Sequence, residues 1–254
     1  MILFLSPAKT LDFEKDVKVG EATKPVFLQE SQKVNAKLKK VSRKKLMELQ
    51  SISSQLASLN YDRNQQWYVE HDENVKQAVF SFKGDVYVGL QAENWSEADM
   101  NFANEHVRIL SGLYGILKPS DLIMPYRLEM GTSLKAGRRE DLYHFWQDKI
   151  KAYFKENIES DEQVINLASV EYFKAVEKAK VKNPILNVEF KDFSNGKFKI
   201  ISFFAKKARG LMADYIVRNR IATVEDLKKF DTEGYCFDAK ESTESNYVFL
   251  RDKK

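Results

Sequence analysis

The chain opens with MILFLSPAKT, residues 1–10. Five apolar residues that stop at a Ser-Pro breaker read as a short buried strand. The Ser6-Pro7-Ala8-Lys9-Thr10 loop then stands at the carboxyl end of that strand, a reasonable place to hold an anion. It is not a Walker loop, because the GxxxxGK[ST] glycines are absent.

Working outward, Val164 to Ala168 reads as a second short buried strand, with Ser169 capping the helix after it. Residues 184–193 and 197–204 predict a hairpin joined by Ser194-Asn195-Gly196, since Asn-Gly supplies the positive φ of a tight hairpin turn. Helical patterning covers 27–60, with Ser42 as N-cap of Arg43 to Gln50 and Ser53 or Ser54 as cap of the next stretch. Residues 61–80 continue in that style, with Trp67, Val75 and Val79 in the core. Around Lys83-Gly84-Asp85, the flanking Phe80–Phe82 and Val86–Val88 predict short extended pieces.

Ser96 and Asp99 form a capping-box pattern that opens a helix to about Glu105. Residues 124–130 read as a strand, and Asp141 starts an amphipathic helix to about Asn157. A helix is expected from Ala205 to Asn219, and Thr223 with Asp226 caps another. A polar loop over 239–247 precedes a last strand near Val248 to Leu250. Strands and helices alternate without a regular βαβ rhythm. The reading is α+β, one mixed domain over residues 1–254, with a strand order the pattern does not disclose.

The bulk numbers suit such a fold. The 254 residues are 43% hydrophobic and 31% charged, close to ordinary globular composition. A lone cysteine, Cys236, excludes an intramolecular disulfide and a cysteine-built metal cluster. No apolar run approaches the roughly 20 residues that span a bilayer. The apolar start lacks the basic and small-residue flanks of a signal peptide. The expectation is a cytoplasmic protein with no membrane association and no obligate protein partner.

The net charge is only +4, so its distribution matters more than its sum. Lys and Arg crowd Lys37 to Lys45, and again Lys197, Lys199, Lys206, Lys207 and Arg209. Such runs are ordinarily solvated faces. The segment Lys206-Lys207-Ala208-Arg209-Gly210 is less ordinary, because it is expected to open a helix. Cations there oppose the helix dipole unless an anion joins them. Gly112-Leu113-Tyr114-Gly115, between apolar arms, resembles the glycine turn of a helix-hairpin-helix, which holds DNA phosphates on backbone N–H groups. Its two intervening residues exceed the usual one, and Pro119 interrupts the second arm. Arg127 and Glu129 share one side of an extended segment and suit an ion pair. His71, His106 and His144 lack metal-ligand spacing, and no hydrolase, zincin or dinucleotide fingerprint is present. No cofactor is expected.

SPAKTLDF, FKGDVYVGLQAE, LSGLYGILKPSDLIMPYRLEMG, INLASVEYF and FKIISFFAKKARGLMADYI occur in this order. Together they resemble the YaaA family of bacterial peroxide-stress proteins, over residues 1 to about 220, and EGYCFD and YVFLRD also fit. The resemblance implies a role in lowering free intracellular iron under hydrogen peroxide. It also implies DNA binding, with a positively charged cleft and a helix-hairpin-helix motif.

Two functions of different class follow. In the first, Lys9, Lys83, Arg127, Lys206, Lys207 and Arg209 line a basic cleft that binds DNA without sequence preference, and Gly112 and Gly115 add backbone donors. In the second, an enzyme acts on a phosphorylated or nucleotide-like small molecule, with Lys9, Asp85, Tyr126, Arg127 and Glu129 converging on a pocket. No catalytic motif is recognised, and the reading leans to the first. A direct iron store is disfavoured, since Glu-x-x-His pairs are missing.

Overall fold

The computed structural model describes residues 1–70, 73–135 and 141–252. Strand β1 (Ile2–Leu5) forms where the sequence predicts it, with all four side chains buried. A short β2 (Thr10–Leu11) follows, then helices α1 (Leu28–Leu38), α2 (Arg43–Gln50) and α3 (Ser54–Gln66). Next come β3 (Lys76–Gln77), α4 (Ala78–Ser81), β4 (Phe82–Lys83) and α5 (Asp85–Leu90). Helix α6 (Glu97–His106) leads into β5 (Val107–Ser111), β6 (Gly115–Leu117) and β7 (Leu122–Ile123). Then α7 (Leu142–Asn157), β8 (Val164–Asn166) and α8 (Val170–Ala179) precede β9 (Ile185–Ser194) and β10 (Lys197–Lys199). The described order ends with α9 (Ser202–Arg218), α10 (Val224–Leu227), β11 (Cys236–Phe237) and β12 (Asn246–Arg251).

The architecture is mixed α+β. One sheet runs β11-β12-β9-β8-β1-β5-β6, and β10 adds to the end of β9. Its centre is parallel: β5, β1, β8, β9 and β12 pair in one direction, and only β6, β10 and β11 are antiparallel. Counted along the chain, the parallel strands stand in the order 2-1-3-4-5, one of the common orders of doubly wound sheets. A strand in such a centre is covered on both faces and so reads as a continuous apolar run, as β1 does. On one face Phe4 stacks on Phe154 of α7 at 5.6 Å and meets Phe173 of α8 edge-on at 6.2 Å. On the other, Phe204 and Tyr215 of α9 meet Arg251 and Phe230, in the ring cluster of Phe190 and Phe249.

Several expectations hold closely. Ser42, Ser53, Asp141 and Thr223 each cap a helix through a side-chain oxygen, and Ser96 with Asp99 completes a capping box. The β9–β10 hairpin turns on Asn195 and Gly196, both at positive φ. Others are corrected. The helical run after residue 60 stops at Gln66, and Val86-Tyr87-Val88 is helix rather than strand. Residues 124–130 pair with no strand. Side chains and local turns take their backbone groups instead: Tyr114 Oη accepts the Met124 amide, and Gln50 Nε2 donates to the Arg127 carbonyl.

The turn at Gly112 joins β5 to β6, so it is strand–turn–strand and not helix–hairpin–helix. Every residue from Val107 to Leu117 is buried. A Cβ on Gly112 would lie 2.3 Å from the Leu128 carbonyl oxygen, and one on Gly115 would lie 2.7 Å from the Trp146 ring. These glycines admit neighbouring protein, and their amides do not face solvent.

Helix α5 exists because of its crossing with α9. A Cβ on Gly89 would fall 2.1 Å from the Lys207 carbonyl oxygen, and one on Gly210 would fall 1.8 Å from that of Val86. The β-branched tendency of Val86 and Val88 is overridden by this close packing. Gly210→Ala is expected to destabilise the fold by about 1–3 kcal/mol or more through overpacking, read as a lower urea midpoint at unchanged slope.

Candidate functional site

Parallel strands deliver their carboxyl ends to one edge of a sheet. Where the strand order reverses, the loops leaving adjacent strands part and open a crevice. Here the reversal falls between β1 and β8. The departing loops are tied together: Ser6 Oγ accepts the Ser169 amide at 2.9 Å and donates to Ser169 Oγ at 3.3 Å. A cleft of about 470 Å³ opens at this point, lined by Lys9, Lys83, Lys206 and Arg209 with Asp85 and Glu171.

Each side chain arrives by a separate route. Pairing of Thr10 with Lys83 in the small β2–β4 ribbon brings Lys83 to the loop after β1. The α5–α9 crossing places Asp85 opposite Lys206, at 4.0 Å. Helix α8 begins at the cleft, with Ser169 at its N-cap position but making no side-chain cap bond. Its first-turn amides therefore have no intrahelical partner, and a helix start of this kind favours anions. Tyr87 Oη donates to the Ser6 carbonyl at 3.1 Å. Burial pushes the phenols of Tyr87, Tyr126 and Tyr172 above their usual range, so they remain protonated donors at neutral pH.

The cations differ in how they are compensated. Lys9 meets Glu129 at 3.3 Å, and Arg127 meets the same carboxylate at 3.1 Å, in a recess adjoining the cleft. The Arg127–Glu129 pair is the one expected from their spacing. Lys207 turns away and pairs with Glu233, so it leaves the cleft set. Among the described residues Arg209 has no hydrogen-bond or ion-pair partner, and it is half-buried in the cleft wall. Burial pushes its guanidinium pKa down, and the nearby Glu189 carboxylate opposes that only in part. A partly desolvated cation whose charge is only partly compensated is stabilised by a bound anion. Lys83 is exposed and likewise unpaired.

The argument from helix polarity changes in detail. Helix α9 begins at Ser202, where the Ala205 amide already bonds the Ile201 carbonyl, so Lys206 and Arg209 lie beyond its first turn. Of the alternative pocket set, Asp85 reaches the cleft and Glu129 stands in the adjoining recess. Tyr126 is buried behind them with its hydroxyl 2.7 Å from Ser111 Oγ. Sequence reasoning missed Glu171, Tyr87 and Tyr172, and took Ser169 only as a cap. A serine shortly after each of two buried strands, Ser6 after β1 and Ser169 after β8, is the signal that was available.

The two helices read at Arg43–Gln50 and after Ser53 pack together as a helical hairpin. Helices α2 and α3 are joined by Ser51-Ile52-Ser53, with Ser51 in the left-handed region at φ 51°. The Ile52 amide bonds the Met47 carbonyl, and Ser53 Oγ accepts the Leu56 amide. The basic run Lys37 to Lys45 enters this hairpin, and Gln50 links it to the Arg127 segment.

Among the described residues no three His, Cys, Asp or Glu gather as a metal site, and no helix is long and apolar enough to cross a membrane. His106 and His144 engage the Met1 carbonyl and Asp141, and His71 lies outside the described residues.

Known proteins match this chain along nearly its whole length. Residues 1–241 match the family model described as "Peroxide stress protein YaaA". A UPF0246 protein of Marinomonas sp. (strain MWYL1) is 48% identical over 252 residues, covering 99% of this chain and 97% of that protein.

The unpaired guanidinium yields a stability test. Arg209→Met is expected to raise the melting temperature by roughly 2–4 °C, about 1 kcal/mol for a chain of this size, in a thermal scan without added anions.

Proposed function

The chain belongs to the peroxide stress protein YaaA family, and on that premise we propose that it binds DNA through the cleft at the β1–β8 strand ends. The observation that carries this reading is Arg209, half-buried in the cleft lining and without a salt bridge, beside Lys83 and the open start of α8. All three call for phosphate. The α2–α3 hairpin supplies the second contact. The first amides of α3 there, which no helical carbonyl takes, present donors to a DNA backbone, as helix-hairpin-helix elements do, and the lysines of the preceding run add long-range attraction. Such contacts go to phosphates and carry no sequence preference. In this reading the protein covers DNA during hydrogen peroxide stress and helps limit iron-driven damage by lowering free intracellular iron.

The size of the cleft refines the partner. A space of about 470 Å³ admits a nucleotide-sized group and not a duplex, so distorted or frayed DNA fits better than a regular helix. The same dimension supports a second reading, an enzyme acting on a phosphorylated small molecule, with the phenol of Tyr172 as a hydrogen-bond donor.

Titrations with fluorescent duplex, bubble and single-stranded DNA across a salt series separate the two. The DNA reading expects salt-dependent binding. In the Lys206→Ala/Arg209→Ala variant it should be weaker, with a log–log salt slope shallower by roughly 2. Absence of binding at low salt, with a nucleoside phosphate raising the melting temperature instead, would favour the enzyme.

A further inference from the structure

Strand β9 is longer than the strand beside it. Its pairing with β8 ends at Asn187, yet β9 continues to Ser194 and turns back through β10. Because β8 and β9 are parallel, this extension stands beyond the same sheet edge at which the cleft opens. The ribbon has two unlike faces. Phe193 and Phe198 sit opposite each other with rings 5.3 Å apart, edge to face. Phe193 is 47% exposed and Ile200, next on that side, is 53% exposed. Alternation puts Lys197 and Lys199 on the other face. Neither lysine has an ion-pair partner among the described residues. From Phe193 to Ala213 the sequence holds five cations and no Asp or Glu.

Among the described residues the half-exposed ring of Phe193 packs on Phe198; of the charges around them Lys191 is paired with Glu189 and Glu241 and Asp192 with Arg251, which leaves Lys197 and Lys199 as the unpaired ones. A partner must therefore be anionic and carry flat apolar groups. We propose that the β9–β10 ribbon is a stacking surface for unpaired nucleobases, with phosphates held by Lys197 and Lys199. Stacking on rings tolerates any base, because every base has a π-face. This deepens the reading of the cleft as a DNA site and rests on it: one nucleotide enters the cleft, and its unpaired neighbours lie on the ribbon.

The test compares wild type, Phe193→Ala/Phe198→Ala, Phe193→Tyr/Phe198→Tyr and Lys206→Ala/Arg209→Ala on fluorescent oligothymidine and on a fully paired duplex, each over a salt series. Circular dichroism confirms that each variant is folded. The alanine pair is expected to lose about tenfold or more in affinity for the single strand. Its loss on the duplex should be small and its salt slope unchanged, because rings release no counterions. The tyrosine pair should bind as wild type does. The cleft variant should instead flatten the salt slope on both DNAs. Wild-type binding that the alanine pair retains, or loses equally on both DNAs, overturns the ribbon proposal and leaves the cleft reading standing. No wild-type binding to either DNA overturns both. Ring-dependent binding to anionic phospholipid vesicles, or a wild-type dimer that the alanine pair dissolves, would assign the ribbon to a lipid surface or a second copy and overturn the proposal.

Discussion

The cleft depends on the parallel pairing of Ile2–Leu5 between Val107–Ser111 and Val164–Asn166. A strand covered on both faces has no water for its peptide groups, so both neighbours must take them. That requirement fixes where residue 6 leaves the sheet and which loop it meets. Ser6 and Ser169 come together because their strands are adjacent and in register, with Phe4 opposite Asn166. The rest of the site is hung on this point. The β2–β4 ribbon brings Lys83, the α5–α9 crossing brings Lys206 and Arg209, and α8 presents its first turn.

Neighbouring cations in one helix have separate tasks. Lys206 and Arg209 face the cleft, while Lys207 between them binds Glu233, which also holds Arg251 at 3.3 Å. Arg251 lies between the rings of Phe204 and Tyr235 and bonds Asp192 at 2.6 Å. Helix α9 is thus tied to the far strand of the sheet by a mostly buried charge network. Substituting Lys207 tests the anchorage of the helix, whereas substituting Arg209 tests the ligand.

Local chemistry was well legible from the sequence. Caps at Ser42, Ser53, Ser96, Asp141 and Thr223, the Asn195-Gly196 turn and the buried runs at 2–5 and 164–166 depend on a few adjacent residues. What depended on distant partners was not. Val86-Tyr87-Val88 alternates like a strand and folds as a helix because α9 presses on Gly89. Residues 124–130 are buried like a strand, but their backbone bonds go partly to Tyr114 and Gln50. The Gly112–Gly115 turn has the composition of a phosphate loop, and its glycines instead make room for Trp146 and the 128–129 backbone. The helical hairpin that does exist uses Ser51 where a glycine would have announced it. For the site, Lys9, Lys83, Lys206 and Arg209 were readable as cations, but their convergence needed the strand order.

The central place of β1 sets the order in which the molecule can form. Strand β1 is synthesised before both of its partners, which start at residues 107 and 164. At about 5–20 residues per second of translation, an apolar segment waits at least roughly 5 seconds for the first neighbour that can pair with it. Until then, four apolar residues with unsatisfied backbone groups stay exposed, as sheets rich in such long-range pairings require. The strand that organises the finished cleft is thus the one most exposed to mispairing on the nascent chain.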